Sequence, residues 1–285
     1  MERGDNTSFS TDHQEAGVTT ESEFENRLVM VTGAAGGIGT ALIEALADAG
    51  AAIAALDRDG ERLRPIVKPL RKDGVNIIPY QVDVSDSRQV DDVVDRVEEE
   101  LGQIDYLVNA AGVLHPAPVL SQTDDAWRAT FAVNNDGVFH VCRAVAKKMV
   151  GRDGGVGRDG GAIVTVASNA GTVPRTHMAA YAASKAAAIA FTRCLGLELA
   201  PYKIRCNIVA PGSTDTPMLH SLHANGDAIS AAIAGDPGNH RVGIPLRKVA
   251  RPADVAAAVM FLLSDRAGQI TLQNLFVDGG AALGG

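Results

Sequence analysis

Tyr181 and Lys185, four residues apart in Tyr181-Ala-Ala-Ser-Lys185, are the side chains of this sequence best suited to moving a proton. The segment from Ala179 to Ala200 is rich in alanine and leucine and has no internal proline, so a helix is expected. Residues at i and i+4 share a helical face, which sets the ammonium beside the phenol. A neighbouring cation favours the phenolate and draws its pKa down from about 10. A tyrosine tuned in that way passes a proton to or from a substrate oxygen. Ser168 closes the β-branched run Ile163-Val-Thr-Val-Ala-Ser168, and its hydroxyl can hydrogen-bond the same oxygen. An exposed helical Tyr–Lys pair has the same spacing, so the meaning of this one depends on the elements around it.

Those elements begin at the short apolar run Arg27-Leu-Val-Met-Val31, of strand type. Thr32-Gly-Ala-Ala-Gly-Gly-Ile-Gly39 follows, then a helical pattern over Thr40–Ala49 and a second strand over Ala51–Leu56. This is a βαβ unit whose Gly33, Gly37 and Gly39, with Ile38 between them, let backbone approach a pyrophosphate. Asp57 ends the second strand at the spacing where an acid accepts hydrogen bonds from an adenosine ribose. A carboxylate there repels a 2′-phosphate and points to NAD rather than NADP; the adjacent Arg58 softens that preference.

Alternation continues with a strand over Val75–Val82, a helix over Ser87–Leu101 and a strand over Ile104–Val108, with no helix assigned between Asp57 and Val75. Asp83-Val84 and Asn109-Ala-Ala-Gly112 then fall at carboxyl ends of parallel strands, where open α/β sheets bind ligands. Asp83 has two readings, a contact to the adenine amino group or an N-cap for the next helix. Asn109 is expected to tie adjacent strand ends, leaving Ala110 and Gly112 small beneath a cofactor. A long helix is expected over Asp124–Val150, capped by Thr123 or Asp124. Inside it lies Val133-Asn-Asn-Asp-Gly137, a poor helical stretch that reads either as a functional bulge or as a solvent-facing turn. Gly151-Arg-Asp-Gly-Gly-Val156 is repeated almost at once as Gly157-Arg-Asp-Gly-Gly-Ala162, an inserted surface loop without chemistry. After the catalytic strand and helix come a strand over Ile204–Val209, the turn Pro211-Gly-Ser-Thr-Asp-Thr-Pro-Met218, and a small, polar stretch to Leu246 that reads as a lid. A helix from Arg251-Pro-Ala-Asp254 to Leu263 and a strand over Thr271–Val277 complete the pattern.

With 285 residues, 21% of them charged, the chain suits a large α/β domain, expected over 26–285 with the lid near 213–246, behind a polar tail at 1–25. The formal net charge of −8 argues against nucleic-acid and anionic-membrane partners. Cys142, Cys194 and Cys206 follow no metal or redox spacing, and neither do His115, His177, His220, His223 and His240, so no metal is expected. The polar N-terminus lacks an apolar segment, and a cytoplasmic location is expected.

Thr32-Gly-x-x-x-Gly-x-Gly39, Asn109-Ala-Ala-Gly112, Asn134, Ser168, Tyr181-x-x-x-Lys185 and Pro211-Gly212 together resemble the short-chain dehydrogenase/reductase family over about residues 27–280. The resemblance implies a Rossmann-type, doubly wound, mostly seven-stranded parallel sheet. It implies Tyr181 as acid/base, Ser168 as the group orienting the substrate oxygen, Lys185 as ribose ligand, and Asn134, three before Gly137, as the water-holding member. It also implies cofactor contacts from Gly33, Gly37, Ile38, Gly39, Asp57, Asp83, Val84, Asn109, Ala110, Gly112, Pro211, Gly212 and Thr214, and a homodimer or homotetramer. The alanine-rich helix after Tyr181 is expected in that subunit contact.

Phe131-Ala-Val-Asn134, the run Gly161 to Arg175, Ile204 to Thr216, Gly243 to Pro252 and Ile270 to Gly280 are similar, more narrowly, to the 2,3-dihydro-2,3-dihydroxybenzoate dehydrogenases of catecholate siderophore biosynthesis. The implied substrate is an anionic cyclic diol, oxidised with NAD. Arg175, in the loop between Ser168 and Tyr181, is the candidate for its carboxylate, because guanidinium matches carboxylate bidentately; Arg247 and Lys248 are alternatives. Met178 and Met218 are the candidate apolar contacts. His223 stands where the siderophore enzymes usually carry a lid tryptophan. That departure leaves hydride transfer alone but leaves room for another cyclic alcohol, a dihydro-hydroxyanthranilate or a 3-oxoacyl substrate; a non-catalytic NAD sensor is a separate reading, against which the intact Asn134, Ser168, Tyr181 and Lys185 argue.

Overall fold

The computed structural model describes residues 23–151, 160–222 and 227–284. The duplicated loop (save its outermost residues), His223 and most of the N-terminal tail lie outside them. Strands β1 (Leu28–Thr32), β2 (Ala52–Asp57), β3 (Ile77–Gln81), β4 (Tyr106–Asn109), β5 (Gly161–Val166), β6 (Ile204–Pro211) and β7 (Asn274–Val277) form one sheet of order β3-β2-β1-β4-β5-β6-β7. Every pairing is parallel, the seven-stranded Rossmann-type arrangement that the family resemblance implies.

All five residues of β1 are buried, as a strand covered on both faces requires. Its side chains alternate between two cores. Val29 and Val31 pack with α1 (Gly37–Asp48) and α9 (Pro252–Leu263), while Leu28 and Met30 pack with α3 (Ser87–Leu101) and α5 (Gly137–Val150). The register pairs Thr32 with both Leu56 and Asn109, so the carboxyl ends of β2, β1 and β4 are level. That shared edge carries the candidate site.

Four local expectations change. A helix, α2 (Gly60–Lys72), fills the stretch left unassigned, despite Pro65 and Pro69. Asp59 caps it by accepting from Arg62 N at 2.9 Å, and Leu63 and Val67, one turn apart, are buried against the sheet; tertiary packing outweighs the proline penalty. β3 and β7 are shorter than expected because both are edge strands with a single partner. Phe24, placed in the tail by the sequence pattern, is buried and meets Tyr106 edge-on at 5.8 Å between ring centroids. The long helix splits into α4 (Asp124–Phe131), a single π-helical turn over Ala132–Asp136, and α5, with Thr123 as N-cap. The later helices are α6 (Ala179–Leu199), α7 (Pro217–Ser221) and α8 (Ala228–Ala234). No helix of the described residues is long and apolar enough to cross a membrane.

Candidate active site

The glycine turn joins β1 to α1 at the sheet's carboxyl edge. Gly33 has φ +68°, and a β-carbon there would lie 2.7 Å from Ala111 Cα, so backbone meets backbone where β1 and β4 end. Thr32 Oγ1 secures that junction by accepting from Ala110 N at 3.1 Å and Ala111 N at 3.3 Å. Among the described residues no side chain caps the first turn of α1, leaving its N–H groups and positive dipole end to an anion. Asp57 accepts from Ala35 N and Asp59 N, each at 3.0 Å, which holds the glycine turn and leaves further lone pairs for a ligand. Thr216, at the base of the lid, would meet a β-carbon on Gly37 at 2.7 Å. A small-residue turn, an uncapped helix start and a carboxylate at the second strand's end fit a dinucleotide.

Around this turn two expectations are corrected. Asn109 does not tie the strand ends with its side chain; Nδ2 donates to Cys142 Sγ at 3.2 Å, and Thr32 makes the tie instead. Asp83 is not the cap of α3. Asp86 accepts from Arg88 N and Gln89 N, whereas Asp83 Oδ1 is held by Ser85 N and Oγ at 2.9 and 2.7 Å. Val84 is buried and packs on Gly137, whose added β-carbon would meet Val84 Cγ2 at 2.7 Å. Pro211 ends β6, and Gly212 and the buried Thr214 follow it at the same edge.

The residues expected to handle protons converge behind this edge. The π turn projects Asn134 inward, where it is fully buried. Its Oδ1 accepts from Val113 N at 2.8 Å, and Nδ2 donates to Val113 O at 2.9 Å and to Ser184 Oγ at 3.0 Å. Val133-Asn-Asn-Asp-Gly137 is therefore a bulge with buried polar contacts and not a solvent-facing turn. Asn134 clamps the segment after β4 to α6. Lys185, 4% exposed, donates from Nζ to Val166 O at 2.9 Å. A β-carbon on Gly112 would lie 3.3 Å from Lys185 Nζ and 3.5 Å from Asn134 Oδ1, so only glycine leaves that space open.

Lys185 Nζ stands 5.8 Å from the Tyr181 ring centroid, as the i,i+4 spacing requires. Burial alone lowers the Lys185 ammonium to about 8. Tyr181 retains some exposed surface, but its hydroxyl is enclosed, and burial raises the phenol above its ordinary value while a hydrogen bond with Ser168 opposes that rise. The sequence reading expected a lowered phenol; here desolvation is the larger effect. Ser168 Oγ also accepts from Ala170 N at 3.1 Å. Thr32 and Ser184, which complete the scaffold, escape sequence reasoning because a lone hydroxyl carries no spacing signal.

Of the residues expected to contact substrate, Arg175 is half-buried and forms no ion pair among the described residues. Arg247 is exposed, and Lys248 is exposed with Nζ 4.0 Å from Asp254 Oδ2. Met178 is the residue preceding α6, and Met218 sits on α7 with 37% of its surface exposed.

The short chain dehydrogenase family model matches residues 27–227. The chain belongs to that family. This short chain dehydrogenase is 51% identical to the 2,3-dihydro-2,3-dihydroxybenzoate dehydrogenase of Bacillus subtilis, over 91% of the chain and 97% of the relative. It is 40% identical to the Escherichia coli enzyme of the same name, over 92% and 99%. Among solved structures it resembles a gluconate 5-dehydrogenase from Burkholderia cenocepacia in complex with NADP and tartrate, at TM-score 0.82 and 32% identity over 92% and 98% of the two chains. Membership makes the chain an oxidoreductase that uses a nicotinamide cofactor.

Proposed function

We propose that this enzyme oxidises 2,3-dihydro-2,3-dihydroxybenzoate to 2,3-dihydroxybenzoate with NAD. The observation that carries the substrate is the nearly end-to-end likeness, at 51% identity, to a relative bearing that name. NAD in preference to NADP rests on Asp57, whose carboxylate lies against the glycine turn and repels a second phosphate on the ribose.

The bound dinucleotide supplies the hydride acceptor. With a cofactor bound, the Lys185 ammonium and the positively charged nicotinamide ring would offset the burial that raises the Tyr181 phenol, so that Tyr181 as phenolate would take the proton of the C3 hydroxyl while C3 loses its hydride. Ser168 hydrogen-bonds the same substrate oxygen and holds it toward the phenol. Lys185, with its pKa near 8, is mainly protonated at neutral pH; its charge favours the phenolate, and its Nζ would hold the ribose of a bound cofactor. Asn134 keeps the segment over Gly112 in place and holds water beside the ammonium. The dienone left by loss of hydride and proton tautomerises to the aromatic catechol, which makes the reaction run one way.

Supplying NAD and trans-2,3-dihydro-2,3-dihydroxybenzoate tests this directly, with NADH and catechol fluorescence followed together. The two signals should rise in equal amount. A strong preference for NADP, or oxidation of neutral cyclic alcohols without the dihydro acid, would overturn it. A cytoplasmic homodimer or homotetramer completes the proposal. Ala186 and Ala190 are exposed along α6, and Leu197 on the same helix is 65% exposed, a surface suited to a second copy. Sedimentation as a monomer would dismiss that contact.

A further inference from the structure

Arg175 and Arg241 are both half-buried, the charge of Arg241 is felt at Arg175, and neither is paired with a carboxylate among the described residues. Arg175 belongs to the loop between Ser168 and Tyr181. Arg241 arrives from the lid, half-buried, and donates from Nη2 to Ser213 Oγ at 2.8 Å. Ser213 follows Gly212, directly beyond the end of β6. The Arg241 backbone is fixed by a two-hydrogen-bond bridge to Asp236, Asp236 N to Arg241 O at 2.9 Å and Arg241 N to Asp236 O at 2.8 Å. Its side chain is therefore presented from a defined turn and not from a free loop.

The acids near this pair are engaged elsewhere. Asp278 attracts Arg175, yet its carboxylate accepts from Asn169 Nδ2, Gly280 N and Ala282 N at 3.1, 2.9 and 2.8 Å. Asp236 attracts Arg241, yet its carboxylate accepts from Asn239 N and Nδ2 at 3.2 and 2.7 Å. Neither forms an ion pair with an arginine among the described residues. The charge of Arg241 opposes that of Arg175, and burial opposes both. Two desolvated like charges without a counterion are unfavourable unless a ligand brings one. A planar carboxylate suits them, because each guanidinium can give it parallel N–H donors.

We propose that Arg241 is a specificity-determining residue that forms, with Arg175, a two-arginine receptor for the carboxylate of the substrate ring. The assignment rests on the dihydro acid as substrate. It adds a residue that the sequence pattern did not single out, and it sets aside Arg247 and Lys248, which are exposed. Through Ser213, the receptor also couples the lid to the end of β6.

The test is a titration of NADH-loaded enzyme with 2,3-dihydroxybenzoate and with the neutral 2,3-dihydroxybenzamide. The wild-type protein should bind the acid more tightly. Arg241→Gln should weaken the acid about tenfold or more and the amide less than about twofold, with KM for the dihydro acid rising in step and kcat nearly unchanged. Arg241→Lys should recover part of the loss. Equal weakening of acid and amide, or none, overturns the receptor. Should Arg241→Gln fail to fold, Ser213→Ala removes the hydroxyl that positions the guanidinium and should weaken the acid selectively; equal effects there count equally against it. A wild-type protein with an Arg241-dependent preference for the acid but no turnover of the dihydro acid keeps the receptor and overturns the proposed substrate.

Discussion

Behind Tyr181 the site is closed; in front of it the site is half open. Asn134, Ser184 and Lys185 are all buried, and each is anchored to a fixed partner, Val113, the Tyr181 carbonyl and the Val166 carbonyl respectively. Ahead of the phenol, Arg175 and Arg241 are half-buried, Met218 is exposed, and the Asp215–His220 pair keeps 46% and 54% of its side-chain surface in solvent. The first group hangs on α6, the π turn and a strand end; the second hangs on turns and on α7, five residues long. The difference teaches where accuracy is required. Proton transfer fails when donor and acceptor are misplaced by an ångström, so its atoms are locked by buried hydrogen bonds. Recognition of a substrate tolerates adjustment and can be carried by short elements at the surface.

The strongest way to break that comparison is Tyr181→Phe. It should lower kcat about a thousandfold, measured as NADH formation, with the melting temperature unchanged; retained activity would remove the phenol from the mechanism. Next comes Asn134→Ala, which strands Val113 N and Val113 O together. A loss of about 3 kcal/mol in urea unfolding is expected, and a loss below about 1 kcal/mol would mean the clamp is not structural.

Lys185→Met sharpens the electrostatic side. Lys185 titrates near 8 in the folded protein, against an ordinary value of 10.5. Between those values the unfolded chain holds more protons, so the contribution of Lys185 to stability rises with pH, and its penalty is fully present below the lower one. The stability of the wild type relative to Lys185→Met should thus improve by up to about 3 kcal/mol across that window. A difference that stays flat with pH would show that the ammonium is not desolvated. The smallest effect belongs to the open side. Asp215→Asn, which weakens an exposed pair with Nε2 to Oδ1 at 2.7 Å, should change unfolding free energy by no more than about 0.5 kcal/mol. A larger loss would mean that the lid's fold depends on that pair, against the contrast drawn above.

Much of this was legible in the chain itself, for local reasons. Strand and helix alternate because apolar residues recur with the two periods those elements demand, and a parallel sheet follows from the crossovers. Gly33 announces its turn because few other residues adopt its φ. Tyr181 and Lys185 share a face because helical geometry places them there. Even the break at Val133–Gly137 is visible as a stretch no regular helix would choose. What sequence alone could not decide depends on groups distant along the chain. Helix α2 forms because Leu63 and Val67 find the sheet, a contact that its prolines obscure. The strand tie falls to Thr32 and not to Asn109 because of which hydroxyl faces Ala110. The phenol is raised and not lowered because desolvation depends on everything packed around it. Arg241 reaches Ser213, just past the end of β6, only once the lid folds back over the sheet edge. Local order was written by residue type and spacing; charge states and meeting points were decided by burial, which is a property of the folded whole.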